Sequence, residues 1–425
     1  MEKIHLPKIG IIGTVGVPAR YGGFETLAHY LVLHLKKRFD LTIYCSGKTY
    51  KKEERKETWN GAKLHYIPLE ANGLQSILYD IWSMIHAVRN CDVLLILGVS
   101  GCLLLPFLKL FTKKKVIVNI DGLEWKRAKW NKYAKTFLLW SETIACKFAD
   151  EIITDNRILK EYVKIRYGIE GNLIEYGADH VTTEMITPAD IKKHPFLTNP
   201  YTFKVARIEP ENNIHLILEA YAESPNEVLV IVGNWEKSQY GKKLLDNYNH
   251  YKNIHLLDPI YDSKKLNVLR SNASLYIHGH SAGGTNPSLV EAMYLELPII
   301  AYDVIYNRIT TNNQSLYFSD VKSLKKLLAT IEQYPLNAIA KRMKNYANKR
   351  YTWQNVANRY GNIAEGIERV IIPEKVVKIA KIARLSTSIS KELAIEGTRP
   401  EPSYELKRAT TKETVDNEDF IGGRA

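Results

Sequence analysis

Along the first half of the chain, short apolar runs alternate with longer stretches of helical period. Ile9–Gly13 predicts a first strand, and Phe24–Lys37 a helix with Leu27, Tyr30, Leu31 and Leu35 on one stripe. Leu41–Cys45, Lys63–Ile67, Val93–Leu97, Val116–Ile120 and Glu151–Thr154 follow as further strands. They are nearly continuous in Val, Ile and Leu, as parallel strands covered on both faces should be. After the Pro-bounded stretch Thr187–Pro200 a second series begins. Phe203–Ala206, Val228–Val232, Ile254–Leu257, Ala273–Ile277 and Pro298–Ala301 read as strands, with a helix at Ile214–Ala222. Two successive series of this kind predict an α/β chain of two Rossmann-like, doubly wound domains. Their strand ends face a shared cleft, since ligands bind beyond the carboxyl ends of such strands.

The boundaries follow from the same pattern. Residues 1–195 form an N-terminal Rossmann-like domain and 196–355 a C-terminal one. Residues 356–396 continue as C-terminal helices, returning to the first domain or to a membrane, and 397–425 are polar enough to predict disorder. Trp353–Val370 has an amphipathic period, interrupted at Pro373. Beyond it Lys375, Lys378, Lys381 and Arg384 recur every three residues, a pattern shared by interfacial and ordinary solvated helices.

The 425 residues suit two domains, and four widely spaced cysteines exclude both a zinc motif and a disulfide framework. The longest uncharged run, Val93–Leu108, contains Gly98, Ser100, Gly101 and Pro106 and reads as a buried strand, a loop and a short helix rather than a membrane span. With no signal-peptide pattern at the start, a cytoplasmic protein is expected. The formal net charge of +13 implies anionic partners. The charge is concentrated: residues 101–148 hold ten Lys/Arg against three Asp/Glu. No nucleic-acid motif accompanies it, so lipid headgroups and phosphorylated ligands are the expected anions.

Candidate chemistry sits at the predicted strand ends. The first strand leads into Thr14-Val-Gly-Val-Pro-Ala-Arg-Tyr-Gly-Gly-Phe-Glu25, where Gly22 and Gly23 precede a helix and let backbone amides approach a diphosphate. The spacing is not that of a dinucleotide fingerprint. Arg207, at the end of Phe203–Ala206, is placed to neutralise a leaving diphosphate. In His278-Gly-His-Ser-Ala-Gly-Gly-Thr-Asn-Pro-Ser-Leu-Val-Glu291, Gly283 and Gly284 form a turn, and Thr285, Asn286 and Ser288 start a helix whose amides and hydroxyls can face an anion. Glu291 lies one turn on, placed to accept from ribose hydroxyls. Asp121, Asp155 and Tyr176 follow strands of the first domain, and Glu25 opens its first helix. A carboxylate there can act as general base toward an acceptor hydroxyl or orient the sugar.

This arrangement resembles the retaining family-four glycosyltransferases of GT-B fold, on Gly-Gly-Thr-Asn-Pro-Ser-Leu-Val-Glu-Ala-Met, the Arg207 strand end and Tyr351-Thr-Trp. Narrower pieces, the Gly13–Glu25 loop, Asn119-Ile-Asp-Gly-Leu-Glu-Trp-Lys-Arg and Ala206-Arg-Ile-Glu-Pro-Glu-Asn-Asn, resemble bacterial polysaccharide beta-1,4-rhamnosyltransferases. The resemblance covers residues 8–370. It implies a dTDP-rhamnose donor, a lipid-pyrophosphate-linked sugar acceptor and retention of configuration. No cofactor and no metal are expected, because Arg207 and helix amides can replace a cation and no Asp-x-Asp cluster occupies a predicted strand end. Two positions depart from the superfamily pattern: Gly283 stands where a glutamate is usual, and Asn212 where a lysine is common near the donor phosphates.

The acceptor side carries the charge. Trp125, Lys126, Arg127, Lys129 and Trp130 interleave aromatics with cations, and Lys113–Lys115 and the apolar Leu103–Phe111 lie close by in sequence. Such a segment is expected to dock peripherally on the anionic inner face of the plasma membrane. Alternatives are the same fold using a UDP-hexose, a nucleotide-sugar epimerase, and a non-catalytic nucleotide-sugar-binding subunit.

Overall fold

The computed structural model describes residues 6–19, 22–120, 122–126 and 130–366. Asp121, Arg127, Lys129, the basic repeat at 375–384 and the expected tail at 397–425 lie outside the described residues.

The first lobe is built on an eight-stranded sheet: β1 Lys8–Ile12, β2 Asp40–Ser46, β3 Thr58–Trp59, β4 Ala62–Ile67, β5 Val93–Leu97, β6 Lys115–Ile120, β7 Glu151–Thr154 and β8 Asn172–Leu173. Its order is β3-β4-β2-β1-β5-β6-β7-β8. All neighbours are parallel except the edge pair β3–β4, an antiparallel hairpin closed by Asn60-Gly61. Both turn residues have positive φ, 48° and 89°, which this pair of residue types tolerates best. The crossovers are α1 Gly23–Leu35, α2 Gln75–Asn90, α3 Leu105–Phe111, α4 Lys132–Phe148 and α5 Arg157–Tyr167. Strand β5 is buried at every position, which is why its sequence shows no alternation.

The predicted linker Thr187–Pro200 is not extended chain. It folds into α6 Pro188–Lys193, whose Thr187 and Asp190 form a reciprocal capping box, and a 3-10 turn at Pro195–Thr198. The second sheet then runs through β9 Thr202–Val205, β10 Leu229–Val232, β11 Ile254–Leu257, β12 Leu275–His278, β13 Ile299–Tyr302 and β14 Leu316–Phe318. Its order, β11-β10-β9-β12-β13-β14, is fully parallel and reverses direction between β9 and β12. That reversal is where a doubly wound sheet opens a ligand crevice. Its helices are α7 Ile214–Ala222, α8 Gln239–Tyr248, α9 Ser263–Ser271, α10 Pro287–Tyr294, α11 Ile305–Thr310, α12 Val321–Ala329 and α13 Leu336–Arg350.

The last described helix, α14 Trp353–Glu365, crosses back and packs on α1. Arg38 binds Glu365 at 2.7 Å and Asn362 at 3.1 Å, and the Tyr360 hydroxyl bonds Asn119 of β6 at 2.5 Å. One apolar core therefore runs from Ile9 and Leu31 through Phe203 and Tyr276 to Trp353 and Tyr360. Two ion pairs to Glu175, from Arg350 at 2.5 Å and Arg359 at 3.6 Å, tie α13 and α14 to the end of the first lobe.

One residue works against this packing. Lys204, 1% exposed, stands inside β9 in register with Ile231. Burial lowers its pKa from 10.5 to about 7. The unfolded chain holds this proton up to about pH 10.4, so between those values unfolding takes up a proton and stability rises with pH. Below pH 7 both states are charged and the folded state carries the whole desolvation cost. Lys204→Met is therefore expected to raise Tm by a few degrees at pH 6–7, and the gain should shrink steadily toward pH 10. Thermal melts of both proteins across that range test this; a pH-independent difference would contradict it.

Candidate functional site

The residues singled out at strand ends fall into three groups. The first surrounds the start of α1. Gly22 is its N-cap residue, and Glu25 is buried in its first turn. A Cβ built on Gly22 would lie 3.2 Å from Glu25 Oε1, and one on Gly23 would lie 3.3 Å from the buried Tyr176 hydroxyl. The loop leading in contains the cis peptide Val17–Pro18.

The second group lies where the two lobes touch. Gly122, just past β6, faces the Gly283-Gly284 turn, and a Cβ on it would lie 3.2 Å from Gly283 Cα. A Cβ on Gly284 would lie 1.8 Å from Asp155 Oδ1, so only glycine allows this approach. The Thr285 hydroxyl donates to the Asp155 carbonyl at 2.6 Å, while Asn156 Nδ2 reaches Thr285 Oγ1 at 3.3 Å and Thr310 Oγ1 at 3.4 Å. Asp155, at the end of β7, is thus buried against the glycine turn of the opposite lobe. Asn156 and Thr310 were not foreseen from sequence, because their partners come from the other lobe.

The third group sits at the reversal between β9 and β12. Arg207 follows β9, about 40% exposed, with its nearest carboxylate, Glu209, at 3.7 Å. Asn212 Nδ2 donates to the Arg207 carbonyl at 2.8 Å, which turns Asn212 Oδ1 toward His280 Nδ1 at 3.0 Å. Asn212 therefore shapes the loop and holds His280; it does not add a cation beside Arg207. His278, at the end of β12, is fully buried, and neither ring nitrogen has a hydrogen-bond partner among the described residues. Burial, with Lys204 and His280 nearby, holds it well below its usual pKa and hence neutral.

The start of α10 corrects one expectation. Its hydroxyls are not available to an anion. Thr285 is spent on Asp155, and the Ser288 amide and hydroxyl both donate to the Asn286 side chain, at 3.1 and 2.8 Å, as an N-cap. Pro287 supplies no amide hydrogen. An anion here would meet the backbone of the glycine turn instead. Glu291 is also engaged: Arg270 binds one carboxylate oxygen, and His180 Nε2 lies 3.2 Å from the other. Burial would raise its pKa, but Arg270 and His180 outweigh that and hold it below the usual carboxylate value. Two lone pairs of the carboxylate are used, so it can still accept from a ligand hydroxyl.

The proposed acceptor segment is partly packed away. The Trp125 ring lies between Lys126, 5.6 Å from its centroid, and Arg166 at 5.9 Å, and Trp130 bonds Glu124 at 3.4 Å. Large exposed apolar side chains lie instead on Leu74 and α2 (Leu78, Trp82, Ile85), on α3 (Phe107, Leu110, Phe111) and on α4 (Tyr133, Trp140). The three helices pack around the turn Cys102–Leu104. Among the described residues no helix is long and apolar enough to cross a membrane, and no His, Cys, Asp or Glu cluster is fit to hold a metal ion.

Comparison with known proteins agrees with this architecture. Residues 6–179 match a family described as a domain of unknown function, DUF1972, and residues 187–350 match glycosyl transferases group 1. No curated protein matches the chain. Among solved structures, sucrose-phosphate synthase from Thermosynechococcus elongatus superposes with a TM-score of 0.70 at 16% identity, covering 85% of this chain and 98% of that one. Anabaena HepE, solved in complex with UDP-glucose, gives 0.65 at 13% identity over 85% of this chain and 100% of its own. A Listeria monocytogenes protein described as a UDP-N-acetylglucosamine 2-epimerase gives 0.57 at 16%, covering 88% and 100%. At such identities the likeness establishes the fold. The chain thus has a two-lobed α/β fold with parallel sheets, of GT-B type, and residues 187–350 match the group 1 glycosyl transferases.

Proposed function

We propose that the protein transfers L-rhamnose from dTDP-rhamnose, with retention, to a polyprenyl-pyrophosphate-linked sugar during capsule or cell-wall polysaccharide synthesis, while bound peripherally to the inner face of the plasma membrane. The observation that carries a transfer reaction is the closure of Gly122 and Asp155 of one lobe onto Gly283-Gly284 of the other, with Asn212 joining the Arg207 loop to His280 behind that turn. A donor diphosphate laid on the glycine turn meets backbone amides and the Arg207 guanidinium, which stabilise the charge that grows as the sugar leaves. The sugar then lies against Asp155 and the end of β6. In a retaining, front-face displacement the departing phosphate oxygen takes the acceptor proton, and Asp155 orients the sugar. The rhamnose assignment rests on the Gly13–Glu25, Asn119–Arg127 and Ala206–Asn213 segments. The lipid acceptor is supported by the exposed apolar faces of α2–α4, which a soluble epimerase has no use for.

The HepE complex with UDP-glucose supports a second reading, a UDP-hexose donor on the same scaffold. A panel of nucleotide sugars offered with a synthetic lipid-pyrophosphate sugar separates the two by mass. A deoxyhexose gain from dTDP-rhamnose is expected; a hexose gain alone overturns rhamnose. Turnover of a free nucleotide sugar without any acceptor points to an epimerase.

A further inference from the structure

Glu291 is held by a chain of contacts that begins in the opposite lobe. On α1, Tyr30 stacks on Trp353, with ring centroids 4.6 Å apart and planes 12° apart. Trp353 opens α14, and its amide is fixed by Asp179 Oδ1 at 2.8 Å. Its indole N–H donates to His180 Nδ1 at 3.0 Å. That bond settles the tautomer: with Nδ1 accepting, the ring proton of a neutral His180 sits on Nε2. Nε2 lies 3.2 Å from Glu291 Oε1 and donates to it. Arg270, from the end of α9, holds the other oxygen. Tyr30 also contacts the His180 ring at 5.3 Å between centroids. The carboxylate is therefore oriented from two sides, by its own lobe through Arg270 and by α1 and the interlobe segment through His180.

We propose that His180, set by Trp353 and Tyr30, is a positioning residue for the donor. It orients Glu291 toward the nucleoside part of a nucleotide sugar and ties that orientation to α1, the helix that begins at Gly22-Gly23. The inference rests on the donor reading of the cleft given above.

The test compares three variants with wild type for donor KM, kcat and nucleoside-diphosphate affinity, with Tm as a control for folding. His180→Leu removes both bonds. His180→Gln can restore both, because its amide oxygen accepts from Trp353 and its amide nitrogen donates to Glu291. Trp353→Phe keeps an aromatic ring against Tyr30 and removes the indole N–H together with part of the buried ring, a packing loss that Tm registers. A contact to the non-reacting part of a substrate is made equally in the ground and transition states, so its loss raises KM and leaves kcat in place. His180→Leu is expected to raise donor KM by about three- to tenfold, the size of one lost hydrogen bond. His180→Gln should stay near wild type, and Trp353→Phe should fall between. An unchanged KM in both His180→Leu and Trp353→Phe, in a wild type that binds nucleotide sugar, overturns this inference alone. So does a His180→Gln variant as impaired as His180→Leu. A wild type that binds no nucleotide sugar overturns the donor reading and takes the inference with it.

Discussion

Replacing Gly284 with alanine is expected to lower the transfer rate by about a hundredfold or more, while leaving nucleotide affinity within a few-fold of wild type. The new Cβ would sit 1.8 Å from Asp155 Oδ1 and 2.5 Å from its Cγ, so something must move by more than an ångström. Asp155 has little freedom to give way. It is 2% exposed, and its carbonyl is bonded to Thr285, the residue next to the substitution. The remaining way to relieve the overlap is for the turn to part from the end of β7, which separates the donor turn from the acceptor lobe. A misplacement of about 1 Å at reacting groups is enough for a hundredfold loss, because proximity and orientation supply much of the rate. The turn itself tolerates alanine, since Gly284 is not among the positive-φ glycines, so the second lobe alone should still hold a nucleotide. The measurements are steady-state transfer and nucleotide titration on the same preparation. A Gly284→Ala enzyme within threefold of wild-type turnover would mean that Asp155 and the glycine turn do not meet in the working state.

Much of the fold was legible because the strands are parallel and covered on both faces. Val93–Leu97 and Val228–Val232 are apolar throughout, and their bounds are close to those observed. Two further local features carry their own sequence signals. Asn60-Gly61 is a hairpin signal, and it closes the β3 edge. Thr187-Pro-Ala-Asp190 carries the start of α6 within what looks like a linker. The site was legible only in part. Gly-Gly-Thr-Asn-Pro announces a helix start, but not that Thr285 is spent on the opposite lobe or Ser288 on its own cap. Nothing local to His180 shows that it meets Glu291, because the partners are far apart in sequence and are joined only when Trp353 packs on α1. The surface of α2 was hidden for a different reason. Its buried Tyr79, Met84 and Ala87 account for an ordinary amphipathic helix, and the exposed Leu78, Trp82 and Ile85 lie on the face that would normally be polar.

That outer face carries the second large effect expected. Trp82 is 51% exposed, Phe111 86% and Trp140 69%, on three helices that adjoin around Cys102–Leu104. Single exposed apolar residues are unremarkable, but several large ones on three helices packed around one turn point to an interaction surface. Its chemistry favours a lipid surface: Lys113 and Lys132 are exposed and Lys135 half-buried on α4 and the segment before β6, beside the aromatic side chains. Anionic lipid attracts each such cation by about 1 kcal/mol. Each large apolar side chain adds about 1.5–3 kcal/mol when fully buried, and less when it enters only the headgroup boundary. Changing Trp82, Phe111 and Trp140 together to serine should therefore weaken vesicle binding by roughly two to three orders of magnitude. Changing Lys113, Lys132 and Lys135 to glutamate should have a comparable effect at low salt, and a smaller one at high salt, where screening has already removed the attraction. Sedimentation with anionic vesicles reads both variants. Transfer to a short-chain, water-soluble acceptor serves as the control and should be unchanged, because none of these side chains is among those found in contact with Asp155 or the glycine turn. If both variants sediment like wild type, the faces of α2–α4 do not dock on lipid, and a lipid-linked acceptor would have to reach the cleft by another side of the first lobe.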